Sequence, residues 1–189
     1  MNVDSPQVNK SRSQPIPGFV EGRLASGEHR MEVMANALTV LTTIALGLSA
    51  GALVTEGAVL IPSWRSLQPD RFLAWYREHA RLLFKFFGPL EIIAAGLAVA
   101  TLALSWVARA AATQLLILSA FLAVAVLAAF PLYFQKVNAS FAAGAIVPDR
   151  VPGELRRYSR WHWARTVLAV GAFVSAVISL LSVGSTPAG

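Results

Sequence analysis

Four apolar stretches dominate this chain, at residues 33–61, 88–108, 113–134 and 165–183. Each is long enough to cross about 30 Å of hydrocarbon, which takes about 20 helical residues. No water reaches the backbone inside a bilayer, so a spanning segment must bond its own N–H and C=O groups as a helix or close into a barrel. These runs are unbroken and lack the in–out alternation of barrel strands. The predicted fold class is therefore all-α, an integral membrane four-helix up-down bundle. Composition agrees: 56% of the 189 residues are hydrophobic and 14% charged. A soluble domain carries about 25% charged residues.

The domain expectation has three parts. Residues 1–30, rich in Pro, Gly and polar side chains, read as a disordered tail with no apolar run of signal-peptide length. Residues 31–184 form the transmembrane domain, and 185–189 a C-terminal tail. Gly47 and Gly51, and Ala94, Ala95 and Ala98, offer small faces for close helix packing, which also leaves a homo-oligomer open. Residues 69–87 show helical periodicity: Phe72, Trp75, Tyr76, His79, Leu83 and Phe87 oppose Arg77, Arg81 and Lys85. This predicts an amphipathic helical extension before the second span, bending into it at Gly88-Pro89. Residues 153–164, with Arg156, Arg157 and Arg160, predict a matching extension before the fourth.

Sixteen Lys and Arg against ten Asp and Glu give a net charge of +6. No nucleic-acid recognition motif accompanies that charge, so nucleic acid is not an expected partner and membrane lipid is. Eleven of the sixteen basic residues fall at the end of the bundle that holds the first loop and the third; Arg109 and four tail residues lie opposite. The excess of positive charge predicts that this end is cytoplasmic, with both termini outside, in a bacterial inner membrane. There is no cysteine, which excludes disulfides, thiolate metal sites and a cysteine nucleophile.

The polar residues that least fit a bundle gather at that same end. Glu56 closes the first apolar stretch; an unpaired carboxylate in hydrocarbon costs at least about 2.5–3.5 kcal/mol, so it needs the interface, a cation or a proton. His79 stands on the apolar face of the amphipathic segment, and His162 lies in Arg160-Trp161-His162-Trp163-Ala164-Arg165. Asn138 ends the third apolar segment; it also fits a glycosylation acceptor pattern, less well at a juxtamembrane position. Taken singly, each suits an interfacial or packed structural role. Together they come from four helices, and the topology brings all four to one end. Two imidazoles, a carboxylate and an amide are suited to binding a metal, relaying a proton or orienting a polar substrate. Glu91, just after Gly88-Pro89, reads instead as a structural carboxylate near a helix start.

At these residues the chain resembles the anthrone oxygenase-like family of small four-helix membrane proteins. The resemblance rests on Thr55-Glu56-Gly57, Pro62-Ser63-Trp64, Phe72-Leu73-Ala74-Trp75-Tyr76 with His79, Phe87-Gly88-Pro89-Leu90, Asn138-Ala139-Ser140-Phe141 and Arg160-Trp161-His162-Trp163-Ala164-Arg165-Thr166. It covers roughly residues 35–183. It implies O2-dependent oxidation of an apolar aromatic substrate by a membrane-embedded oxidoreductase, a monooxygenase by type.

The residues are compatible with two versions of that chemistry. Without a cofactor, His79 or His162 acts as base on an acidic benzylic carbon, Glu56 orients the histidine, and Asn138 or Arg165 stabilises the oxyanion. With iron or copper, Glu56, His79 and His162 form a two-histidine, one-carboxylate set. Trp64, Trp75, Tyr76, Trp161 and Arg165 are the candidate substrate-binding residues, although the tryptophans equally suit an interfacial belt. Two further readings stand beside these: a bis-histidine haem or metal electron-transfer protein, and a non-enzymatic small transporter or lipid-binding module.

Overall fold

The computed structural model describes residues 17–107 and 113–184. Six α-helices follow in order: α1 (Pro17–Thr55), α2 (Ile61–Ser66), α3 (Pro69–Val107), α4 (Thr113–Ala129), α5 (Gln135–Ala143) and α6 (Val151–Gly184). A π-turn at Glu56–Leu60 joins α1 to α2, a second at Phe130–Phe134 joins α4 to α5, and a 3-10 turn at Pro148–Arg150 enters α6. The chain is thus four long rods, and no strand occurs among the described residues. Each rod contains a window long and apolar enough to cross a membrane. Outward faces are apolar as well, with Leu48, Ile92, Phe121 and Leu181 exposed. Such a surface suits lipid and not water. The chain is an integral membrane four-helix bundle.

α1 packs against α3 and α6, and α4 packs against the same two, so α1 and α4 face each other across one diagonal. The two ends of the bundle are built from different materials. One half is lined by Ala94, Ala95, Ala98, Ala120, Ala123, Ala172 and Ala176, which let the backbones close together. Hydroxyls tie this half: Thr42 and Thr101 meet at 2.6 Å, and Ser119 donates to the Ala172 carbonyl at 2.9 Å. The other half holds Trp64, Phe72, Tyr76, Tyr133, Phe134, Phe141 and Tyr158. Their rings meet mostly edge-on or tilted, as Phe72 on Phe141 at 5.0 Å and 87°. Large rings hold the rods apart at this end, and the candidate site lies beside them.

The third rod ends in a glycine cap. Gly144 adopts φ 63° and gives its N–H to Phe141, while Ala145 gives its N–H to Ser140. That pairing closes the last turn in the left-handed conformation glycine favours. The Arg77 guanidinium packs against Gly144 where any Cβ would stand.

Three expectations change here. Residues 17–30 are helical and continuous with the first span, where the sequence reads as a disordered tail; an existing helix extends at low cost. Residues 1–16, Arg109 and the tail 185–189 lie outside the described residues. α3 runs unbroken from Pro69 through Pro89 to Val107, so Glu91 sits in mid-helix and not in a first turn. Of the two small positions on α1, Gly47 meets the Phe173 ring, whereas Gly51 is exposed with nothing near it.

Candidate functional site

Glu56 opens the first π-turn and is 4% exposed. A wide turn places the carboxylate off the regular helical rows, toward α6. There it meets three partners four and three residues apart on one face of α6. Tyr158 donates its phenol to Oε1 at 2.9 Å, and Arg165 Nη2 lies 3.4 Å from Oε2. His162 Nδ1 lies 3.8 Å from the same Oε2. The expected cation partner of Glu56 is therefore Arg165, whose guanidinium also sits over the Phe134 ring at 4.4 Å.

His162 is fully buried behind Glu56. Its Nε2 lies 2.8 Å from the Leu53 carbonyl, which can only accept, so Nε2 carries the proton and Nδ1 faces the carboxylate. Gly57 makes this approach feasible. A Cβ there would stand 3.1 Å from both His162 Cδ2 and Trp163 Cζ2.

Glu56, Tyr158 and Arg165 form one wall of a cavity of about 360 Å3 between α3, the α4–α5 rod and α6. That volume lies near the small end of the range for small-molecule sites, about 300–1,000 Å3. α3 contributes a single stripe, Tyr76, Ala80, Leu83, Phe87 and Glu91, and α5 contributes Gln135, Asn138, Ala139 and Ala142. Val126, Leu127 and Phe130 complete an apolar interior. Phe84 and Ile92 belong to the rim, and both are exposed on the lipid-facing side of α3. The cavity therefore opens sideways, on the apolar outward face of α3. Buried Asn138 Oδ1, Arg165 Nε and His162 Nδ1 have no hydrogen-bond partner among the described residues. Glu91 is held by Ser49 on α1, whose hydroxyl donates to Oε1 at 3.2 Å.

The structure divides the sequence-derived candidates. Glu56, Asn138, Tyr76 and Arg165 line the cavity, and His162 backs it. His79 does not line it: its ring stacks on Trp75 at 4.3 Å and 7°, and its Nδ1 lies 2.8 Å from the Trp75 carbonyl. Trp64, Trp75 and Trp161 do not line it either. Trp64 is packed among Phe72, Trp75, Tyr76 and Tyr158, and Trp161 stacks on Tyr133. The aromatic ring set is a spacer that shapes the end of the bundle.

A three-ligand metal set at Glu56, His79 and His162 is not assembled; among the described residues no three His, Cys, Asp or Glu side chains converge. Arg165 occupies the cationic position beside Glu56 that a metal ion would need. The bis-histidine haem arrangement fits no better, because neither imidazole faces the cavity and each engages a backbone carbonyl.

Two polar lining residues were not among the sequence-derived site candidates: Glu91, which reads there as structural, and Gln135. Glu91 is one turn beyond Phe87 on the α3 stripe, a signal visible once the helix is carried through Pro89. Gln135 lies one turn before Asn138 and Ala139, but it follows a π-turn that shifts the register.

The fold and site define a class: a four-helix integral membrane protein with a laterally open, mostly apolar cavity and a buried Glu–Arg–Tyr wall. No protein-family model matches the chain, and no curated protein or solved structure shows significant similarity to it.

Proposed function

We propose that this chain is a membrane-embedded oxidoreductase of the anthrone oxygenase type, taking a flat apolar molecule with an acidic C–H directly from the lipid. The observation that carries this reading is the cavity itself: apolar walls open on the outward face of α3, with one carboxylate, one guanidinium and one phenol at a single wall. An apolar ring system gains by burial among Leu83, Phe87, Val126 and Phe130. Its polar edge then meets Glu56, Arg165 and Asn138.

In this account Glu56 takes the proton from the carbon acid, Arg165 and Asn138 receive the developing enolate oxygen, and Tyr158 orients the carboxylate through its hydrogen bond to Oε1. The base in this reading is Glu56 and not His79 or His162, because it is the carboxylate that lines the cavity. The resulting carbanion is the reductant and dioxygen the oxidant. A diarylmethylene carbon plus O2 gives the ketone plus water, which balances without a separate electron donor. The basic end is assigned to the cytoplasm, following the excess of Lys and Arg.

The test is oxygen uptake by the purified protein in detergent with an anthrone as substrate. One O2 consumed per quinone formed, above the spontaneous rate, supports the reading. Anthrone that binds without turnover overturns the oxidation step and leaves the cavity as a binding site.

A second reading is favoured by one observation. Two buried carboxylates, Glu56 and Glu91, line the same cavity, and intramembrane carboxylates commonly mark proton pathways. Proton flux in proteoliposomes that needs both carboxylates would support a relay in place of an oxidase.

A further inference from the structure

We propose that a second groove, on the outer face of α5 and the start of α6, is a binding site for the phosphate headgroup of an anionic membrane lipid. The groove encloses about 520 Å3 and is separate from the cavity at Glu56, with which it shares no lining residue. Lys136, Arg150 and Arg157 line it, against one acidic residue, Glu154. Three cations to one anion converge on a concave surface, which is the charge pattern that recognises a phosphodiester.

Its position selects a lipid as the source of that phosphate. All three basic side chains are exposed, and the groove is walled on one side by Leu132 and Val147, themselves 76% and 59% exposed. A headgroup seated on the cations would thus lay its acyl chains along exposed apolar surface. Tyr133 stiffens the floor: it is 9% exposed, stacked on Trp161 at 5.1 Å and 9°, and capped by the Arg157 guanidinium at 5.5 Å. Arg157 is thereby held over the groove and not free in solvent. The 3-10 turn at Pro148–Arg150 brings Arg150 into the lining of the same groove.

The test is native mass spectrometry of the full chain with phosphatidylglycerol or phosphatidylcholine of matched acyl chains. The wild type is expected to retain one phosphatidylglycerol and to release phosphatidylcholine. Each of Lys136→Gln, Arg150→Gln and Arg157→Gln weakens retention about fivefold, and the triple variant about 100-fold. A control triple, Arg65→Gln with Arg71→Gln and Arg81→Gln, removes three exposed cations from the same end but outside the groove. It retains the lipid. Equal losses in the two triple variants would mean a diffuse surface field and overturn the site. So would phosphatidylcholine binding as tightly as phosphatidylglycerol. Displacement of the lipid by millimolar inorganic phosphate would overturn the lipid as occupant. The three single variants keep the result readable if the triple variant fails to fold.

Discussion

Tyr158 on α6 donates to Glu56 Oε1 at 2.9 Å, joining the first rod to the last across 102 positions of sequence. The bond fixes which carboxylate oxygen does what. Oε1 is taken by the phenol, and Oε2 is left to Arg165 and to whatever enters the cavity. Stacking of the Tyr158 and His162 rings, 6° from parallel, keeps both partners on the same side of the carboxylate.

Tyr158→Phe should therefore remove a hydrogen bond without opening space. The expected cost is about 1–2 kcal/mol, because a buried carboxylate loses one of its donors. Unfolding of the detergent-solubilised protein by SDS titration measures it. An unchanged midpoint would show that the bond carries no stability.

Arg165→Met leaves Glu56 buried beside no cation, and the expected loss is about 3–5 kcal/mol. Adding Glu56→Gln removes the orphaned charge and should restore a large part of that loss. A double-mutant cycle on the same unfolding assay gives the coupling. Additive losses would mean the two side chains do not interact.

Gly57→Ala pushes a methyl against His162 and Trp163, both held rings, and should destabilise by about 1–3 kcal/mol. Gly96→Ala on the exposed side of α3 is the control, since a Cβ there meets nothing within 4 Å. It should be neutral or stabilising by up to about 1 kcal/mol. The thermal midpoint should fall in Gly57→Ala and not in Gly96→Ala; an unchanged midpoint in Gly57→Ala would mean that the close approach there is not a constraint.

Ser49→Ala removes the donor to Glu91 and should cost about 1 kcal/mol. If Glu91 belongs to the working site, the same variant also alters turnover, whereas a merely structural Glu91 leaves the rate per folded molecule unchanged.

The spans were legible because lipid imposes a single rule, that apolar segments of sufficient length be helices. The convergence of Glu56, Asn138 and His162 followed from alternating topology alone. What could not be read was rotation about each helix axis. His79 shares the apolar face of residues 69–87 with Tyr76, yet it turns back onto Trp75, in its own helix, while Tyr76 reaches the cavity. Glu91 was hidden by Pro89, which marks a break in a soluble helix but is carried within α3. The π-turns at Glu56 and Phe130 set the register of everything after them, and nothing in the local sequence announces a π-turn. Tryptophans suit a pocket and a belt equally by composition, and only packing shows that Trp64 is core.

The most direct test of the account is the rate of anthrone-dependent oxygen uptake by Glu56→Gln and His79→Ala measured side by side with the wild type. The geometry predicts that Glu56→Gln loses at least about 100-fold, as removal of a general base does. His79→Ala should stay within about twofold, as a side chain outside the cavity would. Full activity in Glu56→Gln, or its loss in folded His79→Ala, would contradict the assignment of Glu56 as the group that meets the substrate.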